Sequence, residues 1–574
     1  MLFGEAPESL NRDLSTVQRD LVVTAARVFA DFLDGEITGR SSRIPTITIG
    51  TDTRPTGPAI AESVLRVFLA AGYEVEWLGP VTSPEIMAYT KKSEHLDGFF
   101  YITASHNPPG YNGFKFGLSD GAVLSGSLAF PLIERFRDLL MNQALVESLV
   151  RDVAGLDPTL RRSLEENRSR WKNDAARAYR SFLLEKLPED RFLLPVRRVL
   201  AERPLGVVAE LNGSARATSV DRTLLPALGV RTAFYNDRPG VIDHQILPEG
   251  PGLDRAATLL QDHHRQDRSF QVAYVPDNDG DRGNLVFIDR DGKAVILEAQ
   301  DVFSLVAAIE LAWSRINGDN ARPLAVVVNG PTSLRIEEIA RWFDAEVFRG
   351  EVGEANMVAL ATEKVEAGYD VCLLGEGSNG GTIVPPATVR DPMSTLLALC
   401  KLHAFPLQGV IREARENHGI APAENPGSLL LDTVRLLPHF TTLETDHPLA
   451  KMHVGNIPQA DLKAKYEELL PRRIEGIMEE LRRELHVTHW QTRNHEGTRT
   501  FPGPGNRTGA ETGGLSVVFL DEEERPRGFV WMRGSGTEPV FRVLADCAGE
   551  NPHLLETLIT WHRSLIEEAI NSLR

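Results

Sequence analysis

The fold class is indicated by the stretch Gly98-Phe99-Phe100-Tyr101-Ile102-Thr103-Ala104-Ser105-His106-Asn107-Pro108. Its first five residues predict a buried strand, and Asn107-Pro108 predicts that the chain reverses directly afterwards. Ser105 therefore lies in a turn at the end of a strand, where α/β proteins place their binding and catalytic groups. Taken alone, a serine in such a turn is more often an ordinary turn residue than a nucleophile, so its interpretation depends on the other loops.

A second loop, Asp277-Asn278-Asp279-Gly280-Asp281-Arg282, follows the apolar run Phe270–Val275. Its three carboxylates are spaced two residues apart and repel one another unless a cation lies among them. Hard divalent cations such as Mg²⁺ or Ca²⁺ take oxygen ligands of this kind. An EF-hand is excluded because it needs glycine at the sixth position and glutamate at the twelfth, where this chain has Arg282 and Ile288. The loop predicts a metal site, with a solvated acidic turn as the alternative.

A third loop, Gly375-Glu376-Gly377-Ser378-Asn379-Gly380-Gly381, follows the strand-like run Tyr369–Leu374. Polar side chains between glycines suit a polyhydroxylated ligand, because the backbone can approach it closely. Glu376, Ser378 and Asn379 are therefore candidate substrate-binding residues. A flexible surface loop would have the same composition, so this motif is weak when it is taken alone.

A fourth loop, Arg533-Gly534-Ser535-Gly536-Thr537-Glu538-Pro539, follows the run Gly528–Met532. Arginine, two hydroxyls and backbone N–H groups exposed by glycine are what a phosphate dianion requires. The loop is not a P-loop, because the terminal Gly-Lys-Ser/Thr is missing. An ordinary glycine-rich turn is the alternative. The predicted phosphate-binding residues are Arg533, Ser535, Gly536, Thr537 and Arg542.

Together the four loops resemble those of the α-D-phosphohexomutase superfamily, in the same order along the chain. The matches are the serine loop Thr103–Pro108, the metal loop Asp277–Arg282, the sugar loop Gly375–Ser378 and the phosphate loop Arg533–Pro539. Two intervening segments fit as well, namely Gly50–Arg54 and Asn112–Lys115. The resemblance covers nearly the whole chain, and its serine, metal and phosphate motifs are specific.

The resemblance implies a catalytic role for four residues. Ser105 carries a phosphoryl group in the active form, and His106 orients the serine loop or the phosphoserine. Lys115 moves a proton or makes a charge contact, with a surface lysine as the alternative, and Arg282 adds positive charge. The metal implied is Mg²⁺, held by Asp277, Asp279, Asp281 and an oxygen on Ser105.

The resemblance also implies a substrate and a reaction. Arg54 and Gly353, the latter in the segment Glu351–Glu354, join the sugar loop as substrate-binding residues. The reaction expected is the interconversion of hexose 1-phosphate and hexose 6-phosphate through a bisphosphorylated sugar. Glucose phosphate is the first choice of substrate, mannose phosphate the second and glucosamine phosphate the third. A non-catalytic sugar-phosphate-binding protein and a phosphatase are the alternatives outside the mutases.

Two departures from the family pattern affect this interpretation. Family members usually begin with a short strand and a Gly-x-Arg turn, and the chain beginning Met1-Leu2-Phe3-Gly4 does not contain that turn. Many bacterial relatives have a histidine two residues after the sugar-loop serine, where this chain has Gly380. A proton-transfer role for such a histidine therefore cannot be carried over to this chain.

Composition favours a cytoplasmic enzyme that acts on small molecules. The net charge of −18 and the lack of a basic stripe argue against a nucleic-acid partner. The sequence contains no run of 18 apolar residues and no basic-then-apolar start, so neither a membrane span nor a signal peptide is predicted. Cys372, Cys400 and Cys547 lie far apart and are expected to be buried free thiols. The oligomeric state cannot be inferred from the sequence.

The chain is organised as repeated α/β units. We predict three similar α/β domains with mixed sheets and a C-terminal α+β domain around a central cleft. The predicted domains are residues 1–170 (serine loop), 171–299 (metal loop), 300–425 (sugar loop) and 426–574 (phosphate loop). The other predicted strands are Pro45–Gly50, Tyr73–Leu78, Leu205–Glu210, Val230–Phe234, Leu324–Val328, Ala345–Phe348 and Leu515–Leu520. Predicted helices cover Ala59–Ala71, Asp157–Arg170, Ala460–Leu485 and Leu554–Leu573, and Pro422–Ser428 is a predicted linker.

Overall fold

A computed structural model of the chain describes residues 3–4, 9–37, 43–153, 158–318, 321–420, 428–445, 447–455, 457–503, 513–534 and 540–574. The chain divides into two compact units. The first unit comprises Met1–Ile296 with Pro386–Leu397, and the second comprises Leu297–Pro385 with Ala398–Arg574. The stretch Pro386–Leu397 therefore belongs with the N-terminal half of the chain.

The first sheet of the first unit has strand order β3-β2-β4-β6, with β2, β3 and β4 parallel and β6 antiparallel to β4. Its strands are β2 (Thr46–Thr51), β3 (Glu74–Pro80), β4 (Gly98–Ile102) and β6 (Phe114–Leu118), and the two-residue strands β1 (Phe3–Gly4) and β5 (Tyr111–Asn112) pair with each other. The helices are α1 (Thr16–Ile37), α2 (Gly57–Ala70), α3 (Ser83–Lys92), α4 (Gly126–Leu140), α5 (Gln143–Val153) and α6 (Pro158–Leu183). The core of this sheet is aromatic, since the rings of Phe29 and Phe116 stack at 4.6 Å and Phe100 meets Phe68 edge-on at 6.0 Å.

The second sheet of the first unit repeats this plan with one extra strand. Its order is β8-β7-β9-β10-β11, with β7, β8 and β9 parallel and the last two strands antiparallel. The elements are α7 (Leu194–Glu202), β7 (Gly206–Glu210), α8 (Asp221–Ala227), β8 (Arg231–Tyr235), α9 (Asp254–Gln266), β9 (Phe270–Pro276), β10 (Gly283–Ile288) and β11 (Ala294–Ile296).

The third sheet, in the second unit, has the order β13-β12-β14-β15, again with three parallel strands and an antiparallel edge strand. The elements are α10 (Ala299–Asn317), β12 (Leu324–Asn329), α11 (Arg335–Trp342), β13 (Glu346–Gly350), α12 (Glu354–Glu366), β14 (Asp370–Glu376), β15 (Gly381–Ile383), α13 (Pro392–Ala404), of which residues 392–397 belong to the first unit, and α14 (Leu407–Asn417). Because parallel neighbours need a crossover connection, a helix separates successive parallel strands in all three sheets.

The fourth sheet is antiparallel, with the order β16-β22-β21-β20-β18-β19 and with β17 also paired to β22. The elements are α15 (Leu429–Leu436), β16 (Phe440–Thr442), β17 (Lys451–His453), α16 (Gln459–Arg473), α17 (Glu475–Leu485), β18 (His489–Glu496), β19 (Arg499–Pro502), β20 (Gly514–Leu520), β21 (Pro526–Gly534), β22 (Val540–Ala548) and α18 (Pro552–Leu573). The predicted class, three mixed α/β sheets followed by an α+β part, is confirmed.

Most predicted strands and helices agree with the structure to within a residue or two at their ends. The single helix predicted over Ala460–Leu485 is wrong, because α16 and α17 are separated at Ile474. Pro471 and Gly476, the two residue types with the lowest helix propensity, flank that break. Most of the predicted linker Pro422–Ser428 lies outside the described residues. The division into four domains stays a prediction.

Within the described residues, no single helix is both long and apolar enough to cross a membrane. In the same described part of the chain, the pair α13 and α14, bent by 84°, is long and apolar enough when the two helices are taken together.

Candidate active site

Ser105 lies three residues beyond β4 and points at the metal loop. Its hydroxyl donates a hydrogen bond to Asp277 Oδ2 at 3.1 Å, across 172 residues of sequence. Its backbone is left-handed, with φ of 51°, and its N–H donates to Thr103 Oγ1 at 2.8 Å. The structure therefore brings together the serine and the aspartates that the sequence singled out.

Arg54 holds the backbone of the serine loop by hydrogen bonds. Its guanidinium donates to the carbonyl oxygens of Ser105 at 2.7 Å and Tyr111 at 3.2 Å, and it pairs with Asp52 at 2.9 Å. The Arg54 side chain has no exposed surface. The sequence assigned Arg54 to substrate binding, whereas these contacts make it a clamp inside the loop. Its position at a strand end suggested ligand binding. A buried arginine at such a position can instead donate hydrogen bonds to the carbonyl oxygens of the neighbouring turn.

Asp277, Asp279 and Asp281 converge in a buried cluster. A carboxylate oxygen from each lies within 4.8 Å of the others, and each residue is at most 1% exposed. Burial, followed by the charges of Asp279 and Asp281, holds the pKa of Asp277 well above its usual range. Burial would also raise the pKa of Asp281, but the nearby cations Arg390, Lys115 and Arg282 outweigh it and lower that pKa. The cluster therefore stores electrostatic repulsion that positive charge relieves.

Lys115 supplies part of that positive charge. Its ammonium group donates to Asp279 Oδ2 at 2.8 Å, Asp281 Oδ2 at 2.7 Å and Ser83 Oγ at 3.2 Å. A surface lysine would not be held by two buried carboxylates, so this alternative does not describe Lys115. The contacts favour a charge contact over proton transfer, because the ammonium group is held between two carboxylates.

His106 and Arg282 form a second contact between the serine and metal loops. Arg282 Nη1 lies 2.9 Å from His106 Nδ1, and the Arg282 N–H donates to Asp277 Oδ1 at 3.1 Å. The charge of Arg282, together with burial, holds the pKa of His106 well below its usual range. His106 is therefore neutral and accepts a hydrogen bond from Arg282, which fits an orienting role.

The aspartate cluster suits a hard cation. Asp279 Oδ1 and Asp281 Oδ1 are buried and accept no hydrogen bond from any part of the chain that the structure describes. Buried carboxylate oxygens without a partner are costly, and a divalent cation with oxygen preference would satisfy them. Asp277, Asp279 and Asp281 are the residues that could hold it.

Two arginines near the metal loop belong to no recognisable sequence motif. Arg390, just before α13, donates to Asp281 Oδ2 at 3.1 Å. Arg216 donates to the carbonyl oxygen of Gly280 at 3.4 Å and pairs with Asp221 at 2.8 Å and Asp391 at 3.3 Å. A Cβ on Gly280 would lie 2.5 Å from Arg216 Cδ, so only glycine fits at this turn.

The sugar-loop glutamate is fixed within the second unit. Glu376 ends β14, and its Oε1 accepts from Asn329 Nδ2 at 3.1 Å and from the Gly353 N–H at 2.8 Å. Gly353 has φ of +124°, a conformation that a side chain would strain. Ser378 is buried in the short helical turn after β14, and the side chain of Asn379 lies outside the described residues.

The phosphate loop is described only at its edges. Arg533 Nη2 lies 3.3 Å from Glu351 Oε1, and Arg542 stands opposite Arg533 across the β21–β22 pair. Ser535, Gly536 and Thr537 lie outside the described residues, so their phosphate-binding assignment stays a prediction.

Comparison with known proteins finds relatives among the phosphohexomutases. A family model described as phosphoglucomutase/phosphomannomutase, alpha/beta/alpha domain I matches residues 8–139, which contain the serine loop. A phosphoglucomutase/phosphomannomutase of Thermococcus kodakarensis is 24% identical over 507 residues, covering 88% of this chain and 87% of its own length. The chain belongs to the α-D-phosphohexomutase superfamily. Its enzyme class is that of the phosphohexomutase isomerases.

Other superfamily members differ in name. A probable phosphoglucosamine mutase of Methanopyrus kandleri is 27% identical over 374 residues, covering 64% of this chain and 68% of its own length. A solved structure of a phosphoglucomutase/phosphomannomutase family protein from Burkholderia thailandensis is similar with a TM-score of 0.60. It is 17% identical and covers 97% of this chain and 95% of its own. At that identity, the likeness supports the phosphohexomutase fold.

Proposed function

We propose that this phosphohexomutase interconverts hexose 1-phosphate and hexose 6-phosphate through a phosphoserine at Ser105. The observation that carries the proposal is the hydrogen bond between Ser105 Oγ and Asp277 Oδ2 at 3.1 Å, inside the buried aspartate cluster. A nucleophile beside a metal-binding cluster is the arrangement that phosphoryl transfer requires.

The proposed chemistry proceeds in two balanced steps. A sugar hydroxyl attacks the phosphorus of phosphoserine 105, so that the bond to Ser105 Oγ breaks and a bond to the sugar oxygen forms. The attacking hydroxyl loses its proton and the departing Ser105 Oγ gains one, so that the sugar becomes a bisphosphate and Ser105 a free serine. The bisphosphate then turns end for end, and Ser105 Oγ attacks its other phosphoryl group; the bond from that phosphorus to the sugar oxygen breaks, the serine proton is lost and the sugar oxygen gains one. The net result is a hexose phosphate with its phosphate on the opposite end.

The chain's own residues prepare this transfer. Asp277, Asp279 and Asp281 would hold Mg²⁺, which when bound neutralises charge on the transferred group. Lys115 and Arg390 balance the aspartate charge, and Arg282 keeps neutral His106 in place against the serine loop. These contacts fix the nucleophile before substrate arrives, which lowers the reorganisation needed during transfer.

The second unit supplies the proposed substrate contacts. Glu376 and Ser378 would hold the sugar hydroxyls that look alike from either direction. The phosphate that is not transferring would dock on Arg533, Ser535, Gly536 and Thr537, with Arg542 nearby. A substrate with two interchangeable phosphates needs such a second site, which a simple phosphatase does not.

Glucose phosphate is the proposed substrate, with mannose phosphate second and glucosamine phosphate third. The relative aligned over 88% of this chain carries the phosphoglucomutase/phosphomannomutase name, while the phosphoglucosamine mutase of Methanopyrus kandleri aligns over 64%. Because these relatives are 24% and 27% identical to this chain, the order of the three sugars rests on the general resemblance and not on the relatives' names. Parallel turnover measurements with the three 1-phosphates would rank them.

Intact-mass measurement is the direct test. Purified protein is expected to carry one phosphate, lost in Ser105→Ala and kept in Ser93→Ala, a turn serine of the same unit. The Ser105→Ala variant is expected to lose interconversion of glucose 1-phosphate, while Ser93→Ala retains it. A protein with no phosphate and no turnover of the three sugars would fit a binding protein. Release of inorganic phosphate without isomerisation would indicate a phosphatase.

A further inference from the structure

Glu351 lies between the sugar loop and the phosphate loop of the second unit. Each of its two carboxylate oxygens accepts a hydrogen bond from a different partner. Its Oε1 accepts from Arg533 Nη2 at 3.3 Å, and its Oε2 accepts from the Gly497 N–H at 2.8 Å. Two residues further on, the Gly353 N–H donates to Glu376. The segment 351–353 therefore contacts the residues proposed to bind each part of the substrate.

The backbone around Glu351 is fixed, so the carboxylate is held in place rather than swinging freely. The Glu351 N–H donates to the carbonyl oxygen of Gly497 at 2.9 Å, and Thr500 Oγ1 donates to the Arg349 carbonyl oxygen at 2.7 Å. Both partners belong to the β18–β19 hairpin. Glu351 is 13% exposed in its side chain and Arg533 is 28% exposed, so solvent reaches the pair from the arginine side.

We propose that Glu351 competes with the substrate phosphate for Arg533 and thereby sets how tightly the phosphate loop holds its ligand. The proposal rests on the proposed function. A guanidinium binds one dianion best when both of its outer nitrogens are available, and a carboxylate on one of them weakens that grip.

A weakened grip serves the proposed reaction. The bisphosphorylated sugar must leave Arg533 in every turnover, so that its other phosphate can dock there. Binding that is too tight at this point would lower KM and slow the step in which the intermediate turns. Glu351 is therefore a positioning residue, because it acts on the substrate through Arg533.

The variant Glu351→Gln tests the competition. Glutamine keeps the size of the side chain and an oxygen for the Gly497 N–H, but it removes the charge facing Arg533. Calorimetric titration with inorganic phosphate is expected to give a Kd about two- to fivefold lower than that of the parent protein, as befits a partly exposed ion pair. In turnover of glucose 1-phosphate, KM and kcat are both expected to fall.

Two controls separate this effect from a general change of charge. Glu523→Gln removes an exposed carboxylate that pairs with Arg525 in the turn between β20 and β21, and it is expected to leave phosphate affinity unchanged. Arg533→Ala is expected to weaken phosphate binding and raise KM. In that background Glu351→Gln is expected to have no further effect on Kd, because the two residues act through one contact.

The outcomes are distinguishable from failure of the proposed function. An unchanged or higher phosphate Kd in Glu351→Gln, in a protein that interconverts hexose phosphates, overturns the competition. A lower Kd with a higher kcat overturns the role in turning of the intermediate. A lower Kd in a protein that shows no interconversion supports the competition at Arg533 and contradicts the mutase proposal alone.

Discussion

Ser105 adopts a backbone conformation that non-glycine residues avoid, with φ of 51°. For an L-residue the left-handed region costs on the order of 1–2 kcal/mol. The Thr103 hydroxyl bonded to its N–H and the Arg54 guanidinium on its carbonyl oxygen hold that conformation. The consequence is a serine hydroxyl aimed at Asp277, so the local strain directs the hydroxyl that we propose as the nucleophile.

At the same scale, Asp279→Asn is expected to lower turnover of glucose 1-phosphate by about 100- to 1,000-fold. The substitution removes one negative charge from the aspartate cluster and weakens the ion pair with Lys115, which donates to Asp279. Steady-state rates across a Mg²⁺ titration would measure the loss. Asp289→Asn, in the turn between β10 and β11, is the matched control. Near-normal turnover of Asp279→Asn would contradict the metal assignment.

How far single residues could be predicted depended on local motifs. Ser105 and Asp277 stand in recognisable loops, and their contact follows from both loops lying at strand ends. Arg390 and Arg216 belong to no such motif. They reach Asp281 and Asp391 across 109 and 175 residues of sequence, and only the folded chain reveals such pairings. Arg54 was misassigned because a buried clamp and a ligand-facing arginine look alike at a strand end.

Among the elements, helix α18 carries a buried histidine against the antiparallel sheet. His562 is 1% exposed, with its Nδ1 2.8 Å from the Tyr466 hydroxyl and its Nε2 3.3 Å from the Trp531 carbonyl oxygen. Burial lowers the pKa of His562 to about 3. The histidine therefore stays neutral in the folded sheet and takes up a proton readily only when the chain unfolds.

This histidine makes stability depend on pH in one direction. The folded pKa lies below the unfolded value of about 6.5, so its contribution is complete above that pH and falls as the pH drops toward 3. At pH 5 the loss from His562 amounts to about 2 kcal/mol. Urea unfolding at pH 7.5 and 5.0 is expected to show a smaller pH effect in His562→Gln. His553→Gln, an exposed position on the same helix, is expected to behave like the parent chain.

For the whole molecule, a cation bound at the aspartate cluster would link stability to metal concentration in a chain of net charge −18. A ligand that binds only the folded state stabilises it by mass action, about 2.7 kcal/mol at a concentration 100 times its Kd. Thermal unfolding is therefore expected to shift upward with Mg²⁺ and to saturate, at constant ionic strength. In Asp279→Asn the saturating shift is expected to disappear. An equal shift in both proteins would indicate general screening of the acidic surface.

The strand order of all three mixed sheets could be anticipated in kind, since alternating apolar runs and helices predict parallel strands with crossovers. The return of Pro386–Leu397 to the first unit could not, because nothing in its composition distinguishes it from its neighbours. That return has a consequence for biosynthesis. A ribosome that has released only the first 296 residues has delivered Ser105, Lys115 and every aspartate of the cluster, but neither Arg390 nor Asp391. Until Arg390 and Asp391 emerge, Arg216 lacks its ion pair with Asp391, and Asp281 lacks its ion pair with Arg390. The first unit is therefore completed only by a segment that is translated almost 100 residues later.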